Sequence, residues 1–360
     1  MPNVRIVVAM SGGVDSSVAA ALLHESGHDV IGFSMQLYDQ RESPDAWGSC
    51  CSISDLHDAR RVANALGFPH YIVNFEEEFR KSVVDNFVSE YAAGRTPIPC
   101  VHCNSGLKFA TLVDRAAALD AEIVATGHYA QVDQDPETHL CRLRRGVDRN
   151  KDQSYFLFSL TQAQLSKASF PVGALTKPEV RTHAARHQLA VADKPDSHEI
   201  CFVPDGDAAG FVTRQLEHVE KGPIPGPILD TSGKTLGQHG GIHRYTIGQR
   251  KGLGLSTGVP LYIVKIDPED NRVIVGEKSE LGRTDLTASR VNWIAGPAPA
   301  TPMRAAAQIR HRHTEAIGTL TPIGEDRAAF EFEVAQQAVT PGQAVVFYNA
   351  DSVIGGGWID

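Results

Sequence analysis

The 360-residue chain, 42% hydrophobic and 21% charged with a formal net charge of −9, has the composition of an ordinary soluble protein of about two to three domains. No apolar run reaches about 18 residues, and MPNVRIVVAM lacks the basic start and cleavage site of a secretory signal, so neither a membrane span nor export is expected and the chain is read as cytoplasmic. Six cysteines (Cys50, Cys51, Cys100, Cys103, Cys141, Cys201) are too sparse for a disulfide framework, and the acidic balance argues against indiscriminate nucleic-acid binding.

In chain order, VRIVVAM reads as a strand and SSVAAALLHESG as the helix after it. DVIGFSMQL, the helix-like SDLHDARRVANALG, HYIVNF, a helical stretch from Glu76 to Ala93, GLKFATLVDRAAALD and EIVATGHY continue the alternation. Strands alternating with helices of this length predict a parallel sheet covered on both faces, with a ligand at the carboxyl ends of the strands. The segment RLRRGVDRNK, residues 142–151, sets five Arg or Lys against Asp148 and is expected to meet phosphate. From about Thr161 to Asp193 the pattern is helical, with TKPEVRTHAARHQLA opening on a helix start. After Gly222 the texture becomes Gly- and Pro-rich, then strand-like: LYIVKIDPEDNRVIVGEK carries a turn at Pro268–Asn271, and MRAAAQIRH, AIGTLTPI, RAAFEFEV and QAVVFYN follow, ending in a glycine-rich IGGGWID. Two small β domains, or one long one, fit this tail, and a closed barrel suits its last part.

The most specific local signal is AMSGGVDSSVAAALL, a strand end, a Gly-rich turn and a helix N-terminus, where backbone N–H groups converge on an anion. No Lys follows the glycines as a Walker A loop requires. Ser11, Ser16 and Ser17 offer hydroxyls, and Asp15 is a candidate to reach magnesium or a water on it. SGGVDSS resembles the loop of the ATP pyrophosphatase (PP-loop) superfamily, which implies cleavage of ATP between its α- and β-phosphates and transfer of AMP to an oxygen.

GRTPIPCVHCNSGLKF, ATGHY, NKDQSYFL, FPVGALTKPEVR, DSHEICFV, YTIGQRKGLG and TPGQAVVFY stand in the order found in bacterial tRNA-specific 2-thiouridylases, and the resemblance runs from about residue 4 to 359. It implies an α/β parallel-sheet PP-loop (adenine nucleotide α-hydrolase-like) domain over residues 1–204 with a helical extension. A small central β-rich domain over 205–280 and a C-terminal β-barrel that contacts tRNA over 281–360 complete the implied organisation. It implies ATP and Mg2+ as cofactors, tRNA as substrate, and a cysteine desulfurase or sulfur-relay protein as persulfide donor. Carried over by motif, Cys103 is the nucleophile and Cys201 the persulfide carrier. Ala9, Met10, Ser11, Gly12, Gly13, Val14, Asp15, Ser16, Met35 and Gly127 hold ATP. His128, Lys151, Asp152, Gln153, Arg310, His311 and Gln343 contact tRNA.

Physical chemistry supports the pairing of roles: a thiolate is both a nucleophile and a sulfur carrier, and Lys108 near Cys103, with His198 and Lys194 near Cys201, are candidates to assist. The chain departs from the family at Ile98-Pro99-Cys100, where many members read Asn-Pro-Asp in a segment assigned to the target base. Cys100 then stands as an inert replacement, a second redox thiol or half of a metal site. A tetrathiolate of Cys50, Cys51, Cys100 and Cys103 is the weaker reading, because adjacent cysteines rarely ligate one ion, and no metal ligand is assigned. Cys141 reads as a small buried hydrophobe. Two other classes remain open from the residues alone: a PP-loop amide ligase that needs no cysteine, and a nucleotide-regulated RNA-binding module.

Overall fold

The structure, a computed structural model, describes residues 4–38, 53–196, 200–203, 205–218 and 222–360. Strands β1 (Arg5–Ala9), β2 (Asp29–Gln36), β3 (His70–Asn74) and β4 (Ile123–Thr126) form a parallel sheet in the order β3-β2-β1-β4. Two-residue periodicity sends Ile6 and Val8 to one face and Val7 and Ala9 to the other. Helices α1 (Val14–Glu25) and α2 (Ile53–Leu66) cover the first face through Val18, Ala59 and Val62, while Phe109 and Leu112 cover the second. Burial on both sides is why β1 and β4 in the middle of the sheet are apolar almost throughout, while β3 at its edge is half-exposed.

The helix that carries Cys103 starts earlier than GLKFATLVDRAAALD indicates. It opens at Pro99, whose missing N–H and preset φ suit a first helical position, and runs to Ala117. Cys103 therefore lies one turn inside the helix rather than ahead of it. Cys103–Thr111 is a π-helix, a wide turn that pairs residue i with i+5 and sets Lys108 one turn above Cys103. The stretch from Glu76 is helical as expected, with its own π turn at Arg80–Val84.

A hairpin of β5 (Ala130–Gln134) and β6 (Cys141–Arg145) follows β4, and the two-residue β7 (Ala168–Ser169) joins the parallel sheet beside β4. The helical pattern expected from Thr161 to Asp193 is interrupted there: Phe170-Pro171-Val172-Gly173 breaks it, and helix recommences at Lys177–Arg186 behind a Thr176/Glu179 capping box. Helix Ala208–His218 packs Val212 and Phe211 back onto Phe87 and Phe202.

The Gly- and Pro-rich stretch after Gly222 holds a hairpin, β8 (Gly226–Asp230) and β9 (Thr235–His239), which the Asp230 carboxylate closes by accepting from the Ser232 and Lys234 amides. With β10 (Tyr262–Asp267) and β11 (Arg272–Gly276) it makes a four-stranded sheet, and the turn between β10 and β11 falls at 268–271 as expected. Strands β12 (Gly282–Asn292), β13 (Met303–Gln308), β14 (Ala316–Ile323), β15 (Arg327–Gln337), β16 (Ala344–Asn349) and β17 (Ser352–Ile359) then form a barrel, closed by pairing of β12 with β17.

The glycine-rich end is the closing strand itself. A Cβ on Gly356 would stand 2.7 Å from the Phe158 ring, so the missing side chain lets the first unit pack against the barrel. Hairpin β5-β6 extends the barrel sheet through β17. Val346, Tyr348 and Trp358 of the barrel share one core with Val101, Phe109 and Phe158. The barrel is thus fixed to the cysteine helix by common apolar burial. Among the described residues no helix is long and apolar enough to cross a membrane.

Candidate functional site

At the carboxyl end of β1, residues Met10–Gly13 turn into α1, whose N-cap is Gly13. Gly12 has φ +75°, and a Cβ there would fall 2.1 Å from the Asp55 carbonyl oxygen, so only glycine serves. Gly127 backs directly on α1, where a Cβ would lie 2.5 Å from the Ser16 nitrogen. The Ser11 amide donates to Ser16 Oγ at 3.2 Å, and Ser17 Oγ donates to the Gly13 carbonyl at 2.8 Å. Ala9 and Val14 are buried at the two ends of this turn. Ser34 Oγ donates to the Met10 carbonyl at 2.7 Å and meets His70 Nε2 at 2.9 Å. Burial, with Arg60 adding to it, pushes His70 down to about 4, so its ring is neutral at ordinary pH. One residue further along β2, Met35 is buried beside the cysteines described below.

Asp15 is already engaged. Lys177 Nζ donates to both of its oxygens, at 2.7 and 2.9 Å, and the Tyr129 hydroxyl donates to one at 2.8 Å. Lys177 is buried and also pairs with Asp196 at 2.7 Å, as does Lys151. Burial raises the Asp196 carboxyl, but hydrogen bonds from Lys151 and Lys177 outweigh it and hold it down at about 2. Lys194 Nζ donates to the Gly12 carbonyl at 3.0 Å and pairs with Asp58 at 2.6 Å. Two ammonium groups thus stand at the anion-binding turn from positions 162 and 182 residues away. Each is held there by two carboxylates, Lys177 by Asp15 and Asp196 and Lys194 by Asp55 and Asp58.

Lys177 was legible in principle. A lysine in the first turn of a helix opposes the macrodipole, and a capping box beside it announces that the position is fixed. Such a residue needs an acidic partner, but nothing local names Asp15.

The cysteines converge. Cys103 and Cys201, 98 residues apart, belong to one apolar cluster with Met35, Phe79, Phe87, Leu107 and Phe202. Cys103 is 9% exposed, Cys201 is half-buried, and Cys100 is exposed. Cys141 is half-buried against the shared core. Next to Cys103, His102 stacks on Trp358 of β17, with ring centroids 4.7 Å apart and planes 6° from parallel, while Arg290 lies over the Trp358 ring at 5.3 Å. The barrel loop 340–343 grips the segment before Cys100: the Thr96 amide donates to the Pro341 carbonyl at 2.9 Å, and Gln343 Nε2 donates to the Thr96 carbonyl at 3.0 Å. Lys108 Nζ donates to Asn104 Oδ1 at 3.0 Å, and Asn104 donates to the Phe156 carbonyl at 3.1 Å. His198, Cys50 and Cys51 lie outside the described residues. Among the described residues no group of three or more His, Cys, Asp or Glu is placed to hold a metal ion.

The residues assigned to tRNA are spread around this centre. His128 follows β4, its Nδ1 2.7 Å from Thr126 Oγ1, and burial followed by the nearby Lys108 charge pushes it well below its ordinary value. It is a neutral hydrogen-bonding ring, not a phosphate-neutralising cation. Gln153 exchanges hydrogen bonds with the Tyr129 backbone at 2.9 and 3.0 Å. Asp152 accepts from Arg145 and from the Gly146 and Ser154 amides, all inside the protein. Arg310 and His311 are exposed on the barrel, with His311 4.6 Å from the Phe156 ring. The basic segment 142–151 does not stand ready for phosphate. Arg142 and Arg144 pair with Asp133, Arg145 with Asp152, Arg149 with Asp351 and Lys151 with Asp196. Folding brings these acids in from elsewhere in the chain and neutralises what reads as a positive run.

Comparison with known proteins accords with this three-part arrangement. The family described as the tRNA methyl transferase HUP domain matches residues 4–205. Those described as the tRNA methyl transferase PRC-barrel domain and the aminomethyltransferase beta-barrel domain match residues 212–277 and 283–359. The tRNA-specific 2-thiouridylase MnmA of Solibacter usitatus is 51% identical over 100% of both chains. That of Geobacter metallireducens is 52% identical over 99% of this chain and 96% of its own, and that of Geotalea uraniireducens 51% identical over 99% and 95%.

Proposed function

Since the chain belongs to the tRNA-specific 2-thiouridylase family, we propose that it replaces the C2 oxygen of the wobble uridine of tRNAs for Lys, Glu and Gln by sulfur, driven by cleavage of ATP to AMP and pyrophosphate. The observation that carries this reading is that Cys103 and Cys201 share one cluster with Met35, one residue along β2 from the Ser34 that bonds to the glycine turn. The relatives are thiouridylases along their full length, which outweighs the methyl-transferase wording of two domain families. A nucleotide turn beside two thiols suits activation followed by sulfur transfer.

ATP lies with its phosphates on the amides of residues 12–16, and Lys177 and Lys194, held at the turn by their carboxylates, take up the charge that develops as pyrophosphate leaves. Both Asp15 oxygens accept from Lys177, so Asp15 serves first as the charge partner that fixes Lys177 at the turn. Mg2+ bound with ATP would supply further positive charge to the phosphates. The uridine, turned out of its stack, presents its C2 oxygen to the α-phosphate and becomes adenylated. A persulfide on Cys201, charged by a cysteine desulfurase or relay protein, then delivers sulfur to C2 as AMP leaves. The outer sulfur, now bonded to C2, is still joined to Cys201; the Cys103 thiolate attacks Cys201 Sγ, that S–S bond breaks with its electron pair going to the C2 sulfur, and a Cys103–Cys201 disulfide is left. His128, Gln153 and Lys151 line the approach from β4, with Asp152 bracing the turn behind them through Arg145 and the Gly146 and Ser154 amides, while Arg310, His311 and Gln343 present the barrel to the RNA. Such a substrate places the work in the cytoplasm.

The test is nucleoside mass spectrometry of unmodified glutamate tRNA after incubation with the protein, magnesium-ATP and a persulfide source. Oxygen-to-sulfur exchange confined to the wobble uridine, with AMP released, is expected. AMP formation without sulfur uptake would assign the cysteines and the acceptor elsewhere.

A further inference from the structure

The reaction above makes no use of Cys100, the residue that stands where the family resemblance leads one to expect Asp. We propose that Cys100 is the resolving thiol of this enzyme: it opens the Cys103–Cys201 disulfide left by each sulfur transfer and carries the oxidation to the surface as a Cys100–Cys103 disulfide. This rests on the roles given to Cys103 and Cys201 under the proposed function.

Placement and burial support it together. Cys100 and Cys103 are three residues apart on a helix that opens at Pro99, so their side chains share a face and their Cα atoms lie about 5 Å apart, within disulfide range. Cys100 is exposed, whereas Cys103 is 9% exposed and shares with the half-buried Cys201 the cluster that holds Phe87, Leu107 and Phe202. A disulfide between those two would have its Cys103 sulfur buried in this apolar cluster and its Cys201 sulfur half-buried at the edge. An external reductant would have to bring a thiolate into that cluster, losing its hydration. Cys100 needs no such entry. It attacks from the next turn of the same helix, with the high effective concentration of an intramolecular group.

The step balances. The Cys100 thiolate forms a bond to Cys103 Sγ, the Cys103–Cys201 bond breaks, and Cys201 leaves as a thiolate ready for the next persulfide. The pair of electrons that regenerates Cys100 and Cys103 comes from an external dithiol reductant, acting on a disulfide with one sulfur at the surface.

Three variants and one map test it. Enzyme charged with persulfide is mixed with ATP and unmodified tRNA, and first-turnover and dithiol-supported steady-state rates are compared. In Cys100→Ser the ratio of steady-state to first-turnover rate should fall roughly tenfold or more, the loss of an intramolecular group. Peptide mass mapping after one turnover without reductant should find Cys100–Cys103 linkage in the native protein and only Cys103–Cys201 linkage in the variant. An unchanged ratio, or no Cys100–Cys103 linkage in the native protein, overturns the proposal. So does a native ratio in Cys100→Asp, which would make the position a carboxylate site. First-turnover sulfur transfer persisting in Cys103→Ser would instead overturn the reading on which the proposal rests.

Discussion

At the nucleotide turn, position is held by charge: Asp15, Lys177, Asp196 and Lys151 form an alternating chain of ion pairs, and Lys194 bridges Gly12 to Asp58. At the cysteines, a short distance along β2, position is held by burial: Cys103 and Cys201 sit among phenylalanines, and a stacked His102–Trp358 pair ties their helix to the barrel. The difference suits the chemistry proposed for each place. Pyrophosphate departure needs preorganised positive charge, whereas a persulfide must be kept from water and stray thiols until the activated base arrives.

The contrast is open to attack, beginning where the effect is largest. Cys103→Ser or Cys201→Ser should lower tRNA thiolation at least about 10³-fold while ATP-dependent pyrophosphate release from the tRNA complex continues, since a nucleophile is lost but not the nucleotide site. Parallel loss of both activities would show that the two ends do not act separately.

Lys177→Ala should do the opposite, slowing pyrophosphate release roughly 10²-fold, in line with removal of one preorganised charge. It leaves the half-buried Asp15 with only the Tyr129 hydroxyl as partner, which costs about 1–3 kcal/mol and is measurable as a fall in urea midpoint. Trp358→Ala removes the stacking partner of His102 and opens a cavity worth about 3–5 kcal/mol. Sulfur transfer should fall roughly tenfold with pyrophosphate release little altered, because a loosened helix misplaces Cys103. Trp358→Phe should restore most of the loss.

The mildest expected effect is on pH. The pKa of His70 lies at about 4 in the folded chain against 6.5 for an unperturbed histidine, so the unfolded chain binds the extra proton first. Stability is complete above about 6.5 and declines as pH falls from there toward about 4. Protonation would also place a hydrogen on Nδ1, which is buried with no partner among the described residues. A His70→Gln variant, unable to titrate, should show a shallower decline in unfolding free energy over this window.

Much of the fold is written in short-range pattern. Apolar runs of strand length, the glycine turn before α1 and the turn at 268–271 are each specified within a few residues, and they appear where expected. The helix start at Pro99 and the hairpin at 226–239 are also local, but their signals, a proline at the first helical position and an Asp closing a turn, are easily passed over in a Pro- and Gly-rich context. The motif order identifies Cys103 and Cys201 as well, since their neighbours mark them.

What the linear chain could not decide was company. Whether 142–151 is a phosphate site depends on Asp133, Asp152, Asp196 and Asp351, and whether Asp15 is a metal ligand depends on Lys177, 162 residues away. A charge run looks the same in sequence whether its partner is solvent, RNA or a distant carboxylate. Residue type and local spacing determined which groups can do chemistry in this protein. Only tertiary packing, through the shared core of sheet and barrel, decided which of them meet, because desolvation and pairing depend on neighbours that sequence separation does not reveal.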